Sequence, residues 1–189
     1  MTAFDTAFNY VVANEGGGKY TDNPLDKGGP TRWGVSLKTL AAFRGKACTS
    51  NDVQLLTQTE AALVYKRLYW DVMRCADIKD ASFATAIFDS SVLFGPARAG
   101  KAVQQAINKD CALAPLKLDG RVGDATLAAL NAQPRKGMLL AYVNELVGAI
   151  VDIVGADRTQ TVFFAGWVRR VGCYLGLIYA PTTSTQAAS

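Results

Sequence analysis

The stretch from Glu15 to Gly34, EGGGKYTDNPLDKGGPTRWG, constrains the fold of this chain more than any other. Glycine costs backbone entropy and proline removes a hydrogen-bond donor, so a stretch this rich in both cannot form a regular element. The residues on either side of it have the hydrophobic spacing of helices. An ordered polar loop between structured segments is a common place for functional groups. We therefore expect the active site in this loop.

Hydrophobic periodicity predicts helices along most of the remaining chain. The predicted helices span residues 2–14, 37–44, 51–56, 57–73, 80–94, 96–108, 124–131 and 135–154, with a last one from Thr159 or Thr161 to about 179. The helix at 80–94 is apolar on most of its surface, which indicates a buried central helix. Outside the helices we expect at most a small β-hairpin within residues 18–35. The sequence therefore predicts a mainly α fold with a small hairpin or loop at the active site.

The composition favours one compact unit without a membrane span. Half of the 189 residues are hydrophobic and the net charge is +4. That charge would favour an anionic polymer, but no stretch interleaves basic and aromatic residues as a nucleic-acid groove does, so we expect no nucleic-acid partner. Residues 162–179 are the most apolar, yet Arg169 and Arg170 interrupt them, so we predict a buried helix and no stable membrane insertion. No signal peptide is visible at the N-terminus.

The chain contains no histidine. A Ser-His or Cys-His nucleophile needs an imidazole base, and a hydrolytic zinc site usually includes a histidine. Hydrolysis by this chain is therefore expected to use carboxylates, without a metal or other cofactor. The four cysteines have no CxxC spacing and lie next to apolar or small residues, which predicts buried, reduced thiols, although a pair of disulfides remains an alternative.

The loop supplies the carboxylates that such chemistry requires. A glycosidase needs one protonated carboxyl to donate to the leaving oxygen and one carboxylate to activate water or attack carbon. Glu15 is placed at the C-terminus of the first predicted helix, where the helix dipole does not stabilise its charged form, as suits a general acid. Asp26 is the candidate base, Asp22 is the competing carboxylate, and the hydroxyl of Thr31 is placed to hold a water.

Other interpretations of the loop are a metal-binding loop and a purely structural loop. The spacing of its acidic residues does not fit an EF-hand, which also needs a glutamate at its twelfth position. The GGGKYT segment does not fit a phosphate-binding loop, which requires GxxxxGK followed by Ser or Thr. The residues by themselves leave the structural interpretation open.

Taken together, the motifs of the chain resemble glycoside hydrolase family 108, the N-acetylmuramidases of phages and bacteria. The first motif is E-G-G-x-x-Y-x-D-N-P-x-D-x-G-G-x-T-x-x-G, beginning at Glu15. The similarity continues through Tyr65–Trp70 (YKRLYW), Asp89–Ala99 (DSSVLFGPARA), Asp119–Thr126 (DGRVGDAT) and Phe164–Val171 (FAGWVRRV). The family implies a lysozyme-like helical fold that cleaves the bond between N-acetylmuramic acid and N-acetylglucosamine in peptidoglycan.

By position, the resemblance makes Glu15 the proton donor, with Asp26 activating the water and Thr31 positioning it. The chain departs from the family by reading EGGGKY where EGGY is frequent, and by reading VLFGP, residues 92–96, where V-N-x-G-P is frequent. The expected substrate-binding residues are Tyr20, Asn23, Trp33, Tyr65 and Trp70. Packing is the alternative role of these aromatic residues, and we expect at least one of Tyr65, Tyr69 and Trp70 to face the cleft.

The C-terminal half resembles the peptidoglycan-binding segment that accompanies this family. We expect residues 1–95 to form the catalytic part and residues 96–180 a helical binding part packed on it as one compact unit, with 181–189 a disordered tail. In the binding part, Asp119 and Thr126 are expected to cap a turn and a helix. Arg98 and Arg170 either pair with buried carboxylates or bind the muramyl peptide.

The leading hypothesis is a phage endolysin or a related bacterial muramidase that acts as a monomer on bacterial peptidoglycan and causes cell lysis. It would stay in the host cytoplasm until holin lesions release it to the periplasm and cell wall. The alternatives are a lytic transglycosylase acting on the same bond and a catalytically silent wall-binding protein. The resemblance does not decide between an inverting and a retaining mechanism.

Overall fold

The computed structural model describes residues 1–22, 29–110 and 115–177, without the side chain of Asp110. Its packing divides the chain into two compact units, unit 1 (Met1–Val72) and unit 2 (Met73–Ser189). The described residues are mostly helical, which confirms the predicted mainly α fold with a small hairpin. Asn23 and Asp26, and the predicted tail at 181–189, lie outside the described residues.

Unit 1 contains four helices and the hairpin among its described residues. Its elements are α1 (Ala3–Asn14), β1 (Thr31–Arg32), β2 (Val35–Ser36), α2 (Leu37–Arg44), α3 (Ser50–Gln54), α4 (Gln58–Tyr65) and a π-helical segment (Lys66–Trp70). The antiparallel strands pair Thr31 with Ser36 and Arg32 with Val35. Threonine or serine hydroxyls cap the four helices, because each accepts a hydrogen bond from an otherwise unpaired amide in the first turn.

The helix that begins with α4 changes its pitch before it ends. Lys66 to Trp70 form a π-helical turn, where the sequence predicts one α-helix through residue 73. The Thr57 hydroxyl caps α4 by accepting from the Glu60 amide. The side-chain carboxylate of Glu60 accepts two hydrogen bonds from Arg44, at 2.8 and 3.0 Å. Single π turns are frequent at functional sites, and this one contains Tyr69 and directly follows Tyr65, two tyrosines described below.

The described part of unit 2 contains five α-helices and a 3-10 turn at each of two junctions. These are the turn Cys75–Asp77, α5 (Ala81–Phe94), α6 (Pro96–Asp110), α7 (Asp124–Ala132), α8 (Arg135–Ala156), the turn Arg158–Gln160 and α9 (Thr161–Leu177). Helix α5 is buried on most of its surface and packs on α6 and α9, which confirms that it is central. Helix α6 packs most extensively on α8.

A buried ion pair joins α5 to α9. The fully buried Asp89 accepts hydrogen bonds from Arg170 Nε at 2.9 Å and Arg170 Nη2 at 2.8 Å. The Tyr174 hydroxyl donates a third, at 2.5 Å. Burial first, and then the charge of Asp89, raise the pKa of Tyr174 well above its usual value, so this phenol remains a neutral donor. Of the two roles left open for Arg170, the structure therefore gives it the pairing role.

The DGRVG segment is a turn held against α6. Gln104 donates to the Asp119 carboxylate at 2.9 Å and accepts from the Gly120 amide at 2.9 Å. A Cβ on Gly120 would lie 2.4 Å from the carbonyl oxygen of Ala97, so only glycine fits there. Asp119 caps the turn, as expected. Thr126 does not cap α7, which begins after Gly123, but is buried in its first turn.

Two expectations about burial are wrong. The three described cysteines are free, but Cys75 alone among them is buried, while Cys48 is half-buried and Cys173 is exposed. The helix predicted to be buried at 162–179 exposes the first half of its length, with Val162 at 80% and Phe163 at 53%.

Among the described helices, α8 alone is long and apolar enough to span a membrane, judged by length and composition. Its side chains Leu139, Tyr142 and Leu146 are fully buried, so one face of the helix supplies the core of unit 2.

Candidate active site

Glu15 stands at the C-terminal tip of α1. Its backbone amide still donates to the carbonyl oxygens of Val11 at 3.0 Å and Val12 at 3.2 Å, so its backbone belongs to the helix end. Gly16 and Gly17 follow with φ of 81° and 69°, the left-handed conformation in which glycine avoids the strain of a Cβ. The chain therefore turns away directly after Glu15 and leaves its side chain half-buried at the tip.

The C-terminal end of the loop, at Trp33 and Gly34, packs against its N-terminal end, at Glu15 and Gly18. A Cβ on Gly34 would lie 3.0 Å from both Cβ and Cγ of Glu15, and one on Gly18 would lie 2.5 Å from the Trp33 ring. Arg32 Nε donates to the Gly18 carbonyl at 3.2 Å. These contacts require glycine at both positions, and they place the catalytic candidate beside the β-hairpin.

The hairpin turn is built from residues 33 and 34, both with positive φ. Gly34 adopts 73° at no steric cost, whereas Trp33 adopts 55°, which is unusual for a bulky residue. The Trp33 indole donates to the Leu56 carbonyl at 3.1 Å, and its ring covers Gly18. These contacts hold the strained residue in place, and such strain is found preferentially at functional sites.

Two tyrosines of the π-helical region complete the surroundings of Glu15. Tyr65 is 1% exposed, donates from its hydroxyl to the Trp33 carbonyl at 3.1 Å, and would touch any Cβ added to Gly34. The ring of Tyr69 lies 5.7 Å from that of Tyr65. Burial first, and then the negative charge of Glu15, raise the pKa of Tyr69. The Tyr69 phenol therefore stays protonated, and it lies within electrostatic range of the Glu15 carboxyl.

Residues 8–95 match the family model of Glycosyl hydrolase 108. Over these residues the chain is similar to that family. Residues 98–172 match a predicted peptidoglycan domain. No curated protein matches the sequence.

A solved structure has a similar fold along the full length of the chain. The structure of Brucella abortus SagA superposes with a TM-score of 0.79 at 28% sequence identity, covering 97% of this chain and 98% of that one. The glycosyl hydrolase 108 segment and the peptidoglycan domain together identify the protein as a peptidoglycan hydrolase, and peptidoglycan as its partner.

The two family segments meet near residue 96, whereas the compact units divide after Val72. The difference arises because α5 belongs to the glycosyl hydrolase 108 segment by sequence but shares its core with α6 and α9. The predicted assignment of catalysis to residues 1–95 and of binding to residues 96–180 stays a prediction.

Two other residues of the loop with predicted roles, Thr31 and Tyr20, are hydrogen-bonded within the loop. Thr31 is half-buried in β1, and its hydroxyl donates to the Gly29 carbonyl at 3.2 Å, which leaves that oxygen able to accept from a water. Tyr20 is half-buried and donates to the exposed Asp22 carboxylate at 3.1 Å. These roles, like those of Asn23 and Asp26, stay predictions.

Tyr65 and Trp70, expected to contact substrate, lie in the core of unit 1. Tyr65 packs edge-on against Phe8 at 5.5 Å, and Trp70, 3% exposed, packs edge-on against Phe4 at 5.5 Å. Their buried rings offer little surface to a sugar. Tyr69, whose half-buried phenol lies near Glu15, is the member of this segment that sequence reasoning left unassigned. The sequence feature that could have identified Tyr69 is its spacing of four residues from Tyr65.

Gly34→Ala tests whether the packing beside Glu15 matters for activity. The added methyl would meet the Tyr65 hydroxyl, and Gly34 is already in the left-handed region, so we expect Glu15 and Tyr65 to be displaced. Displacements of this kind in glycosidases and other enzymes cost on the order of a hundredfold in rate. The measurement is the rate of peptidoglycan solubilisation by purified protein.

Gly45→Ala is the matched control for that variant. Gly45 ends α2 with φ of 67°, close to the 73° of Gly34, but a Cβ there would meet nothing within 4 Å. It imposes the same backbone strain without the contact. Equal activity of the two variants would show that the packing around Glu15 is unimportant.

Among the described residues, no group of three or more Asp, Glu, Cys or His side chains is placed to hold a metal ion.

Proposed function

We propose that this peptidoglycan hydrolase is an N-acetylmuramidase, which cleaves the β-1,4 bond between N-acetylmuramic acid and N-acetylglucosamine. The observation that carries the proposal is the position of Glu15. It is a half-buried carboxyl at a helix end, packed against Gly34 and near the Tyr69 phenol, inside the segment that is similar to the glycosyl hydrolase 108 family.

In this mechanism Glu15 donates its proton to the glycosidic oxygen as the bond to the leaving sugar breaks. The sugar ring develops positive charge, and a water or a carboxylate must then attack its carbon. We assign activation of the water to Asp26 and its positioning to the Thr31 hydroxyl. The Thr31 backbone is fixed by two hydrogen bonds to Thr21, at 2.8 and 2.9 Å, so its side chain starts from a defined position.

Mass spectrometry of the soluble products tests this proposal. Purified protein is incubated with peptidoglycan, and the released fragments are examined for their reducing ends. Hydrolysis yields reducing-end muramic acid, heavier by one water than the 1,6-anhydro product of a lytic transglycosylase. Anhydro products would make the enzyme a transglycosylase and remove the role of Asp26. Release of no fragments would leave a wall-binding protein.

A comparison of Asp26→Asn with Asp22→Asn determines which carboxylate activates the attacking water. We expect Asp26→Asn to lose about two to four orders of magnitude in hydrolysis, the usual effect of removing a general base. Asp22→Asn removes the same charge four residues earlier and should retain activity, because the Asp22 carboxylate is exposed and is held by the Tyr20 hydroxyl. The reverse ranking would move the base to Asp22.

We further propose that the protein serves as a phage endolysin, held in the host cytoplasm until a holin opens the membrane. Support comes from the peptidoglycan-degrading family and the peptidoglycan domain on one chain. Expression in a bacterial host, with and without a co-expressed holin, tests this role by following culture turbidity. Lysis that does not depend on the holin would contradict it.

A further inference from the structure

We propose that a groove at the corner between α5 and α6 binds the acidic stem peptides of peptidoglycan, through Arg98 and Lys101. This inference rests on the proposed function, because it names the part of the polymer that unit 2 would hold. For Arg98 the sequence left open either pairing with a buried carboxylate or binding the muramyl peptide, and for Lys101 it suggested no role. The groove is lined in part by Phe94, Gly95 and Pro96, the last three residues of the VLFGP segment in which the chain departs from the frequent family motif.

The corner is a defined cavity. It measures about 370 Å³ and is lined by Phe94, Gly95, Pro96, Ala97, Arg98 and Lys101. Gly95 has φ of 85° and ψ of 150°, a conformation open essentially to glycine, and Pro96 begins α6 without needing a partner for a backbone amide. The break between the helices is therefore abrupt and fixed by local sequence.

Both cations of the groove are available to a ligand. Arg98 and Lys101 are exposed on the first two turns of α6, and within the described part of the chain neither has a carboxylate at ion-pair distance. The Arg98 guanidinium makes one long hydrogen bond, 3.4 Å, to the Phe94 carbonyl. Arg170, by contrast, forms an ion pair with Asp89. A planar guanidinium beside an ammonium is suited to carboxylates, which arginine binds through two parallel hydrogen bonds.

An aromatic surface continues from the groove along α9. Phe94 contacts Trp167 edge-on at 6.0 Å, and Trp167 stacks on Phe163 at 5.6 Å with the rings 28° apart. Phe163 is 53% exposed although it is a large apolar residue. Exposed aromatic rings next to charged groups are typical of binding sites. The combination fits a polymer that has apolar sugar faces and carboxylate-bearing peptides, which is the chemistry of peptidoglycan.

The test compares two forms of the polymer. Binding is measured by co-sedimentation with intact peptidoglycan and with the same glycan after enzymatic removal of the stem peptides. All variants carry Glu15→Gln in addition, so that the polymer is not consumed. Arg98→Gln/Lys101→Gln is expected to weaken binding to intact peptidoglycan about tenfold, the combined effect of losing two solvent-exposed charge contacts. Binding to the peptide-free glycan should be the same as for the parent protein.

Lys38→Gln/Lys46→Gln is the matched control, since it removes the same charge from two exposed lysines of unit 1. Phe163→Ala should weaken binding to both polymers, because the ring would contact sugar. Circular dichroism melting confirms that each variant is folded, and these exposed positions leave the buried core untouched.

Several outcomes would overturn the inference. One is that the Arg98/Lys101 variant binds intact peptidoglycan as well as the lysine control does. Another is that it loses affinity equally for both polymers. Loss of binding to anionic phospholipid vesicles, with peptidoglycan binding unchanged, would assign the groove to a membrane surface instead. Failure of the parent enzyme to hydrolyse peptidoglycan would refute the proposed function, yet peptide-dependent binding through Arg98 and Lys101 would still support the groove.

Discussion

Glu15→Gln should abolish the release of soluble peptidoglycan fragments while leaving the protein folded. The amide keeps the shape of the side chain and its packing against Gly34, but it cannot donate the proton that the leaving oxygen requires. Loss of a general acid lowers the rate by about two to four orders of magnitude. The free energy of unfolding should change by less than about 1 kcal/mol, since Glu15 is only half-buried and the amide has the same shape. Product release by chromatography and urea unfolding measure the two quantities.

Asp71→Asn is the control for this variant. Asp71 is an exposed carboxylate of unit 1 that pairs with Lys66 at 2.6 Å, so the substitution makes the same charge change away from Glu15. It should retain both activity and stability. Full activity of Glu15→Gln would show that another residue is the acid, and would contradict the proposed mechanism at its first step.

Asp89→Asn should have the largest effect on stability. The substitution removes the negative charge that compensates the Arg170 guanidinium in the interior of unit 2, where Asp89 is 0% exposed. Removing one partner of a buried ion pair typically costs about 3–5 kcal/mol. We expect a loss of this size in the free energy of unfolding, measured from urea denaturation of unit 2 by tryptophan fluorescence and circular dichroism.

Two further variants make this result interpretable. Asp77→Asn removes a carboxylate that is 52% exposed and pairs with Arg74 at 2.9 Å, and it should cost no more than about 1 kcal/mol. Asp89→Leu/Arg170→Met removes both charges, so it should recover much of the stability that the single change loses. A loss in Asp89→Asn as small as that in Asp77→Asn would show that the buried pair contributes little.

Helix boundaries were predictable because they depend on neighbouring residues. The hydroxyls of Thr2, Ser36 and Thr57 and the carboxylate of Asp80 accept hydrogen bonds from first-turn amides, and residues 95–96 end one helix and begin the next. Each of these signals lies within four residues of the boundary that it sets. The position of Glu15 at a helix end followed from the same logic, since glycines come directly after it.

Contacts between distant residues decided the features that were not predicted. The choice of Asp89 as the partner of Arg170 joins positions 81 residues apart. Trp33 adopts its strained backbone because its indole finds the Leu56 carbonyl, 23 residues away. The π turn that contains Tyr69 likewise has no local sequence signature. For the candidate site, the position of Glu15 at a helix end was therefore predictable, while the residues that surround it depend on packing.

Hydrogen bonds anchor both ends of the loop, so protein engineering can change the length of the chain between them. Thr21 and Thr31 are joined by two backbone hydrogen bonds, and Gly18 is held by Arg32, so both ends of the loop are anchored independently of the chain between them. Doubling the length of such a closed segment costs only about 0.6 kcal/mol in closure entropy. Insertions between Thr21 and Thr31 that keep Asp26 should therefore be tolerated, and libraries of such insertions can be screened for altered substrate preference while Glu15, the proposed proton donor, stays at the tip of α1.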